Sequence, residues 1–333
     1  MARKITAGGA TAAAVCAAGL IAVFATGASG QPAWRPEKAV ELVVTTAPGG
    51  ANDQIARAMQ KVLREEKLVS TPLEIVNKPG GNQTIGVAYV SQHAADPHYL
   101  LLANPTLLGS HIAGITTLNY TDLTPIALLL SEHTVFSVSA DSAIRSAADL
   151  FGRLKADPES VVFGIVGRGG PSHLALAAAA KSAGVDARKL KTVVFKTSPE
   201  SLTAMMGGHI HAVASSVSSA LATATSGKTR VVAVVAAQRM TGALSNVPTL
   251  REQGIDVTQA SWRAVFGPKG MSAAQVAFWD DALVRMAATG EWKKTLESNN
   301  WVGPFLRGSS LAAFLEDSYR VTRATMSDVG LAK

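Results

Sequence analysis

Apolar residues along this chain fall into short β-branched runs that alternate with stretches of helical spacing. Val40–Thr45 (VELVVT) reads as a buried strand. It stops at Ala47-Pro48-Gly49-Gly50, a turn signal. Asn52 or Asp53 can then cap a helix whose apolar stripe is Ile55, Met59, Val62 and Leu63. The unit repeats. Leu73–Val76 is a strand, Asn77-Lys78-Pro79-Gly80-Gly81-Asn82 a second glycine loop, and Ile85, Val87, Ala88 and Val90 mark a helix ending before Asp96-Pro97. Tyr99–Ala103 is a third strand, followed by the polar loop Asn104-Pro105-Thr106.

A second module begins near Ser131, with a strand over Val135–Val138 and a helix over Ser146–Lys155. The strand Val161–Val166 leads into a third glycine loop, Gly167-Arg168-Gly169-Gly170-Pro171-Ser172-His173, and an alanine-rich helix. Thr192–Phe195, Ala212–Ser215 and Val231–Ala236 continue the strands. The aromatic-rich run Ser261–Phe266 can carry the chain back to the first module. The tail from Ala273 returns to helices, with Trp279, Leu283, Met286, Trp292 and Leu296 as packing anchors. Strand–loop–helix alternation implies an α/β protein with a mainly parallel sheet, whose ligands sit at the carboxyl ends of the strands. With 333 residues, two domains are expected.

The first thirty residues have another character. Arg3 and Lys4 precede an alanine-rich apolar run with Val15, Leu20, Ile21, Val23 and Phe24, and Ala28-Ser29-Gly30 supplies the small residues of a cleavage site. This is the pattern of a signal peptide over 1–30, cut after Gly30 and directing export to the periplasm. The single cysteine, Cys16, lies inside it, after Val15 rather than in the setting of a lipoprotein signal. The exported chain then has no thiol and no cysteine-based metal site. The formal net charge of +7 suits an anionic ligand by long-range attraction. The basic residues are scattered, and the densest cluster is only Arg188, Lys189 and Lys191, so no nucleic-acid partner is expected.

The chemistry resides in the three glycine loops. Glycine lets backbone N–H groups approach a ligand, and a helix N-terminus adds unpaired donors and a partial positive charge. Loops of this kind in both halves of the chain suggest a shared anion site. The candidate ligand contacts of the first module are Pro48, Gly49, Gly50, Asn52, Asp53, Gly80, Gly81, Asn82, Asn104 and Thr106. Those of the second are Gly169, Gly170, Ser172, His173, Lys196, Thr197 and Ser215. Asp53 reads either as an N-cap or first-turn acid or as a carboxylate that orients the loop amides. His173 can donate to an anion or merely cap and pack. His209 and His211 have strand spacing, but no third ligand accompanies them, so no metal is expected. No Gly-x-Ser-x-Gly elbow, phosphate loop, dinucleotide fingerprint or His-Glu-x-x-His stretch is present. No catalysis and no cofactor are expected.

The order Ala47-Pro48-Gly49-Gly50-x-x-Asp53-x-x-Ala56-Arg57, Asn77-Lys78-Pro79-Gly80, Ile85-Gly86 resembles the Bug family, the extracytoplasmic receptors of tripartite tricarboxylate transporters. The likeness continues through Asp122-Leu123-Thr124-Pro125-Ile126, Ser172-His173-Leu174, Gly207-Gly208, Val247-Pro248-Thr249, Glu252 with Gly254, Trp262 and Gly267-Pro268. It implies a two-lobe periplasmic-binding-protein (Venus-flytrap) fold, each lobe a mixed, mainly parallel sheet with flanking helices. One lobe would hold 32–131 plus 262–333 and the other 132–261. It also implies a small carboxylate ligand: a di- or tricarboxylate, an acidic amino acid, or an aromatic acid. The first two glycine loops would hold a ligand carboxylate through backbone amides. The partners implied are the membrane subunits of a tripartite transporter, with the receptor itself a monomer. A sensory protein serving a membrane kinase, or a periplasmic hydrolase or isomerase on a similar fold, are the competing readings. The chain departs from the family pattern at Asn82 and Gln83, where glycines are common, at His211, where an aspartate is common, and at Thr197, where glycine is usual. These departures bear on the substrate rather than on the fold.

Overall fold

The computed structural model describes Met1 and Trp34–Lys333. The signal peptide expected over 1–30, with Cys16 and the cleavage site after Gly30, lies outside the described residues.

Three strand–loop–helix units open the fold: β1 (Val40–Val44) with α1 (Ala51–Glu65), β2 (Leu73–Asn77) with α2 (Thr84–Ser91), and β3 (Tyr99–Ala103) with α3 (Thr106–Ile112). The long strand β4 (Leu123–Ser139) follows. Next come α4 (Ala147–Ala156), β5 (Val162–Val166), α5 (Pro171–Ser182), β6 (Lys191–Phe195), α6 (Ser198–Met206), β7 (Ala212–Ser216), α7 (Val217–Ala224) and β8 (Thr229–Val235). β9 (Ala260–Pro268) leads to α8 (Ala273–Ala288), α9 (Gly290–Asn299), the short β10 (Leu306–Arg307) and α10 (Gly308–Asp328).

The strands run in the order β2-β1-β3-β9-β4-β7-β5-β6, with β8 and β10 also paired to β4. β1 is parallel to β2 and β3, and β5 is parallel to β6 and β7. Antiparallel pairing enters with β4 and β9, which supply the mixed character expected of the sheet. β4 changes partners along its length. From Leu123 to His133 it pairs with β9, and from Thr134 to Ser139 with β7 and β8. Two sets of strands are thus joined through one continuous strand, and β9 runs antiparallel beside its first half.

Alternation along the strands divides the core. Leu42 and Val44 of β1 pack with Ile55, Met59, Trp279, Leu283 and Trp292, while Val43 faces Leu101, Leu107, Trp262 and Phe266. Phe136, Val138, Phe163, Ile165 and Leu176 build a separate core around β5 and β7. The C-terminal helix reaches the second set of elements. Met326 packs in one cluster with Leu174 of α5, and Asp328 pairs with Lys181 at 2.5 Å.

Several expectations are corrected. β4 spans seventeen residues instead of only Val135–Val138. Pro125 and the polar triplet Ser131-Glu132-His133 obscured it. Pro125 sits beside a register irregularity, where a strand tolerates proline, and the triplet is polar because of what it faces. The N-cap of α1 is Gly50, rather than Asn52 or Asp53. Asn104-Pro105-Thr106 runs directly into α3. His209 precedes β7 by three residues and His211 by one, so neither lies on the strand.

Candidate functional site

The carboxyl ends of β1, β3, β5 and β7 converge with the middle of β4 and the start of β9 on a small cavity of about 60 Å³. The first loop is knitted by Asp53. Its Oδ2 accepts the Gly49 N–H at 2.9 Å and the Arg57 Nε–H at 2.9 Å, and its Oδ1 accepts from the Asn77 amide at 3.0 Å. Burial works to raise the Asp53 pKa, but these bonds and the Arg57 charge outweigh it and hold it below the ordinary 3.8. Gly49 adopts φ +79°, which favours glycine. At Gly50 the constraint is space, since a Cβ would meet Thr46 Oγ1 at 2.9 Å. The Gly50 N–H bonds Ala47 O, and the first bond of the helix runs from Gln54 N–H to Gly50 O. The amides of Ala51 and Asn52 therefore have no intrahelical partner, and both residues line the cavity.

A chain of buried amides and hydroxyls extends this wall. Gln83 Oε1 accepts from Thr45 Oγ1 at 2.8 Å, Asn52 Nδ2 donates to Thr45 Oγ1 at 3.3 Å, and Asn104 Nδ2 donates to Asn52 Oδ1 at 3.3 Å. Asn104 Oδ1 then accepts the Thr106 N–H at 2.9 Å. Two hydroxyls of the cavity wall, Thr46 Oγ1 and Thr106 Oγ1, are buried and have no protein partner. Leaving such a group unmet costs about 1–3 kcal/mol, so they are available to a ligand or to water.

Across the cavity, Ser172 Oγ accepts the Val166 N–H at 3.0 Å, and Thr197 caps α6 by accepting the Glu200 N–H at 3.3 Å. β4 and β9 supply the floor. Glu132 and Arg263, both buried, pair at 3.1 Å. Ser218 donates to Glu132 Oε1 through its hydroxyl at 2.5 Å and its amide at 3.2 Å. Arg263 also donates to the Ser261 hydroxyl and to Trp262 O at 3.0 Å. Burial pulls the Arg263 pKa below its usual value, and the Glu132 charge opposes that pull. His133 Nδ1 meets Val235 O at 3.0 Å, and burial lowers its pKa, so the ring is neutral with the proton on Nδ1.

Residues 55–331 match the family described as "Tripartite tricarboxylate transporter family receptor" (TctC). The chain belongs to this family. It is 26% identical over 299 residues to the "UPF0065 protein in gbd 5'region" of Cupriavidus necator, covering 90% of this chain and 89% of the relative. The solved periplasmic binding protein BugD superposes with a TM-score of 0.79 at 22% identity, over 90% of this chain and 99% of its own. An R. palustris protein solved with adipate superposes with a TM-score of 0.82 at 22% identity, over 89% of this chain and 99% of its own. These likenesses establish the two-lobe α/β fold of periplasmic binding proteins, and the TctC match makes the chain a solute-binding receptor.

Within this TctC receptor, eight of the expected contacts line the cavity: Gly50, Asn52, Asn104, Thr106, Ser172, Lys196, Thr197 and Ser215. Pro48, Gly49, Asp53, Gly80, Gly81, Asn82, Gly169, Gly170 and His173 do not line it, and of these Gly80 and Asn82 line a neighbouring compartment. Their geometry shows what several of them do. The Gly49 and Gly50 amides are spent within their own loop. His173 Nδ1 accepts the Gly169 N–H at 3.0 Å, and burial with the nearby Arg168 charge lowers its pKa to about 4, so it is a neutral brace of the third loop. Gly170 bonds Gly167 O, and its missing Cβ lets Thr106 approach. Asn82 adopts φ +55° and Gln83 φ +73°, costly without glycine. Asn82 recovers the cost by donating to Ser110 Oγ and to Arg168 O, each at 2.8 Å.

Sequence reasoning missed Glu132, His133, Thr134, Ser261 and Arg263. The signal was present: isolated charges inside otherwise apolar strand runs, which are rarely buried unless paired. Among the described residues no group of three or more His, Cys, Asp or Glu could hold a metal. Among the described residues no aromatic ring other than His133 lines the cavity. What converges there is hydrogen-bond donors around a paired charge, an arrangement that binds.

Proposed function

We propose that this chain is a periplasmic receptor that encloses a small carboxylate between two lobes and passes it to the membrane subunits of a tripartite transporter, with no chemistry of its own. The observation that carries this reading is the pair of unpartnered hydroxyls, Thr46 and Thr106, beside the free amides of Ala51 and Asn52 on one buried cavity. Donors at a helix N-terminus favour negative charge. Glu132 is neutralised by Arg263, so Lys196 leaves the lining with a positive surplus. The adipate seen in a structural neighbour is a ligand of the same kind.

The lobes in this proposal are 32–131 with 262–333, and 132–261. The change of β4 partners at His133–Thr134 and the end of β9 pairing at Ala260 support a hinge there. Calorimetry of the purified chain against a carboxylate panel, with product analysis of each mixture, tests the function. Binding without turnover supports it, and conversion of any bound acid overturns it. Small-angle scattering should show a smaller radius with the bound acid. N-terminal mass analysis of periplasmic material should find Gln31 first.

A further inference from the structure

The sheet ends in β2 on one side and β6 on the other, and the two edges are finished differently. β2 buries Leu73 and half-buries Ile75 and Val76, and the Gln60 amide donates to Leu73 O at 2.6 Å. Among the described strands β6 pairs with β5 alone, from Val162 with Lys191 to Val166 with Phe195. Its outer row of backbone N–H and C=O groups therefore has no ladder partner. Val193 is 41% exposed and Val194 50% exposed. Neighbours on a strand point to opposite faces, so β6 is open on both. Two β-branched residues left in water on a sheet edge form a template for another strand. The surrounding charge has a sign. Arg188 is bound by Asp186 and Lys191 by Glu159, and Glu200 accepts the Lys196 N–H at 3.1 Å. The side chains of Lys189, Lys196 and Arg168 stand outside these pairs and are exposed, which leaves a positive surplus along the edge.

We infer that β6 is a docking edge for an extended acidic segment of a partner protein, which adds to the sheet as an outer strand. The segment's main chain pairs with the open row of β6, and its β-branched side chains lie on Val193 and Val194. Its carboxylates meet Lys189 at one end and Lys196 with Arg168 at the other. Val194, Lys196 and Arg168 line one compartment, so the added strand runs up to the mouth of the cleft. A second copy of this chain is the wrong occupant. Antiparallel pairing about Val193 would set Lys196 opposite Leu190, between Lys189 and Lys191 of the other copy, with like charges well inside a screening length. The docking edge gives the basic cluster of Arg188, Lys189 and Lys191 a protein partner in place of nucleic acid, and it stands whichever acid the cleft takes.

The test uses three labelled synthetic peptides with the purified chain: Glu-Asp-Val-Thr-Val-Thr-Asp-Glu, the same core flanked by lysines, and the acidic peptide with alternate amides N-methylated. Fluorescence anisotropy reads affinity, and hydrogen exchange reads where each peptide lies. The acidic peptide should bind at least about tenfold tighter than the lysine-flanked one at low salt, and 0.5 M salt should narrow that gap. N-methylation should weaken binding at least about tenfold, because it removes the donors that pair with β6. Exchange should slow across residues 191–195. Lys189→Glu should weaken the acidic peptide about fivefold. Val193→Thr, which removes one apolar methyl, should weaken it about fourfold. Both side chains are exposed, so these variants should melt with the parent protein. Equal binding of the acidic and lysine-flanked peptides overturns the acidic partner, and equal binding of the methylated peptide overturns strand addition. Slowed exchange only outside β6, or binding of none of the peptides, overturns the docking edge altogether. A concentration-dependent dimer that Val193→Thr abolishes would make the occupant a second copy and overturn the proposal as well.

Discussion

Glu132→Gln removes one charge from the buried pair that floors the cavity while keeping an acceptor for Ser218. Arg263 then remains a buried guanidinium with its Nε unpartnered and Glu132, its only anion among the described residues, gone. Breaking a buried pair in this way costs about 3–5 kcal/mol, because the orphaned charge keeps its desolvation penalty. For a chain of this size a kilocalorie is worth about 2 °C, so the melting temperature should fall by about 6–10 °C. Two lobes can melt separately, so scanning calorimetry is the assay of choice. The double variant Glu132→Gln/Arg263→Met removes both charges and should recover at least half of the loss. A single variant that melts within about 2 °C of the parent refutes the argument. So does a double variant less stable than the single, which would mean that packing rather than charge governs the floor.

Three further outcomes follow from the loops. Asp53→Asn should cost about 1.5–3 kcal/mol at neutral pH, from the charge-assisted bonds to Arg57 and the Gly49 amide. Because the folded pKa of Asp53 lies below 3.8, that advantage is present above 3.8 and is lost as pH falls through the folded value, so parent and variant melting temperatures should converge in strong acid. His173 behaves differently. Its pKa of about 4 in the fold against 6.5 unfolded means that the unfolded chain takes up the proton first, so stability should decline as pH drops from 6.5 toward 4, by about 3 kcal/mol in full. His173→Gln should remove most of that slope in a melting series, with His133 supplying a residual slope of the same sign. Gly50→Ala keeps an allowed extended backbone but sets a Cβ 2.9 Å from Thr46 Oγ1 and 3.1 Å from Thr46 Cβ and Ala47 O, so the loop must shift with Thr46; calorimetry should read about a tenfold loss of ligand affinity together with a lower melting temperature.

The local grammar of this chain was legible without coordinates. Val40–Val44, Leu73–Asn77 and Tyr99–Ala103 are strands because β-branched and leucine runs stop at turn residues. α1 is a helix because Ile55, Met59, Val62 and Leu63 return at helical spacing. Trp279, Leu283, Met286 and Trp292 were readable as core for the same reason, and Leu296 packs at its edge. The helices α6 and α7 were not readable. Their apolar stripes are short, Leu202 with Met205 in α6 and Val217 with Ala220 and Leu221 in α7, and the serines and small residues between them keep so brief a period from standing out in the sequence.

Sequence alone determined the three glycine loops and the family they resemble, since turn chemistry and hydrophobic period act over a few neighbouring residues. Tertiary structure decided which groups face the cavity. Gly49 and Gly50 look like the donors, yet Asp53 and Ala47 take their hydrogens and leave Ala51 and Asn52 free. Glu132 looks like a strand breaker until Arg263, 131 positions away, neutralises it. A hydrogen bond or a buried charge is satisfied by whatever the fold brings within about 3 Å. Those partners come from distant strands, so their effect is set by topology and cannot be read from the residues that flank them.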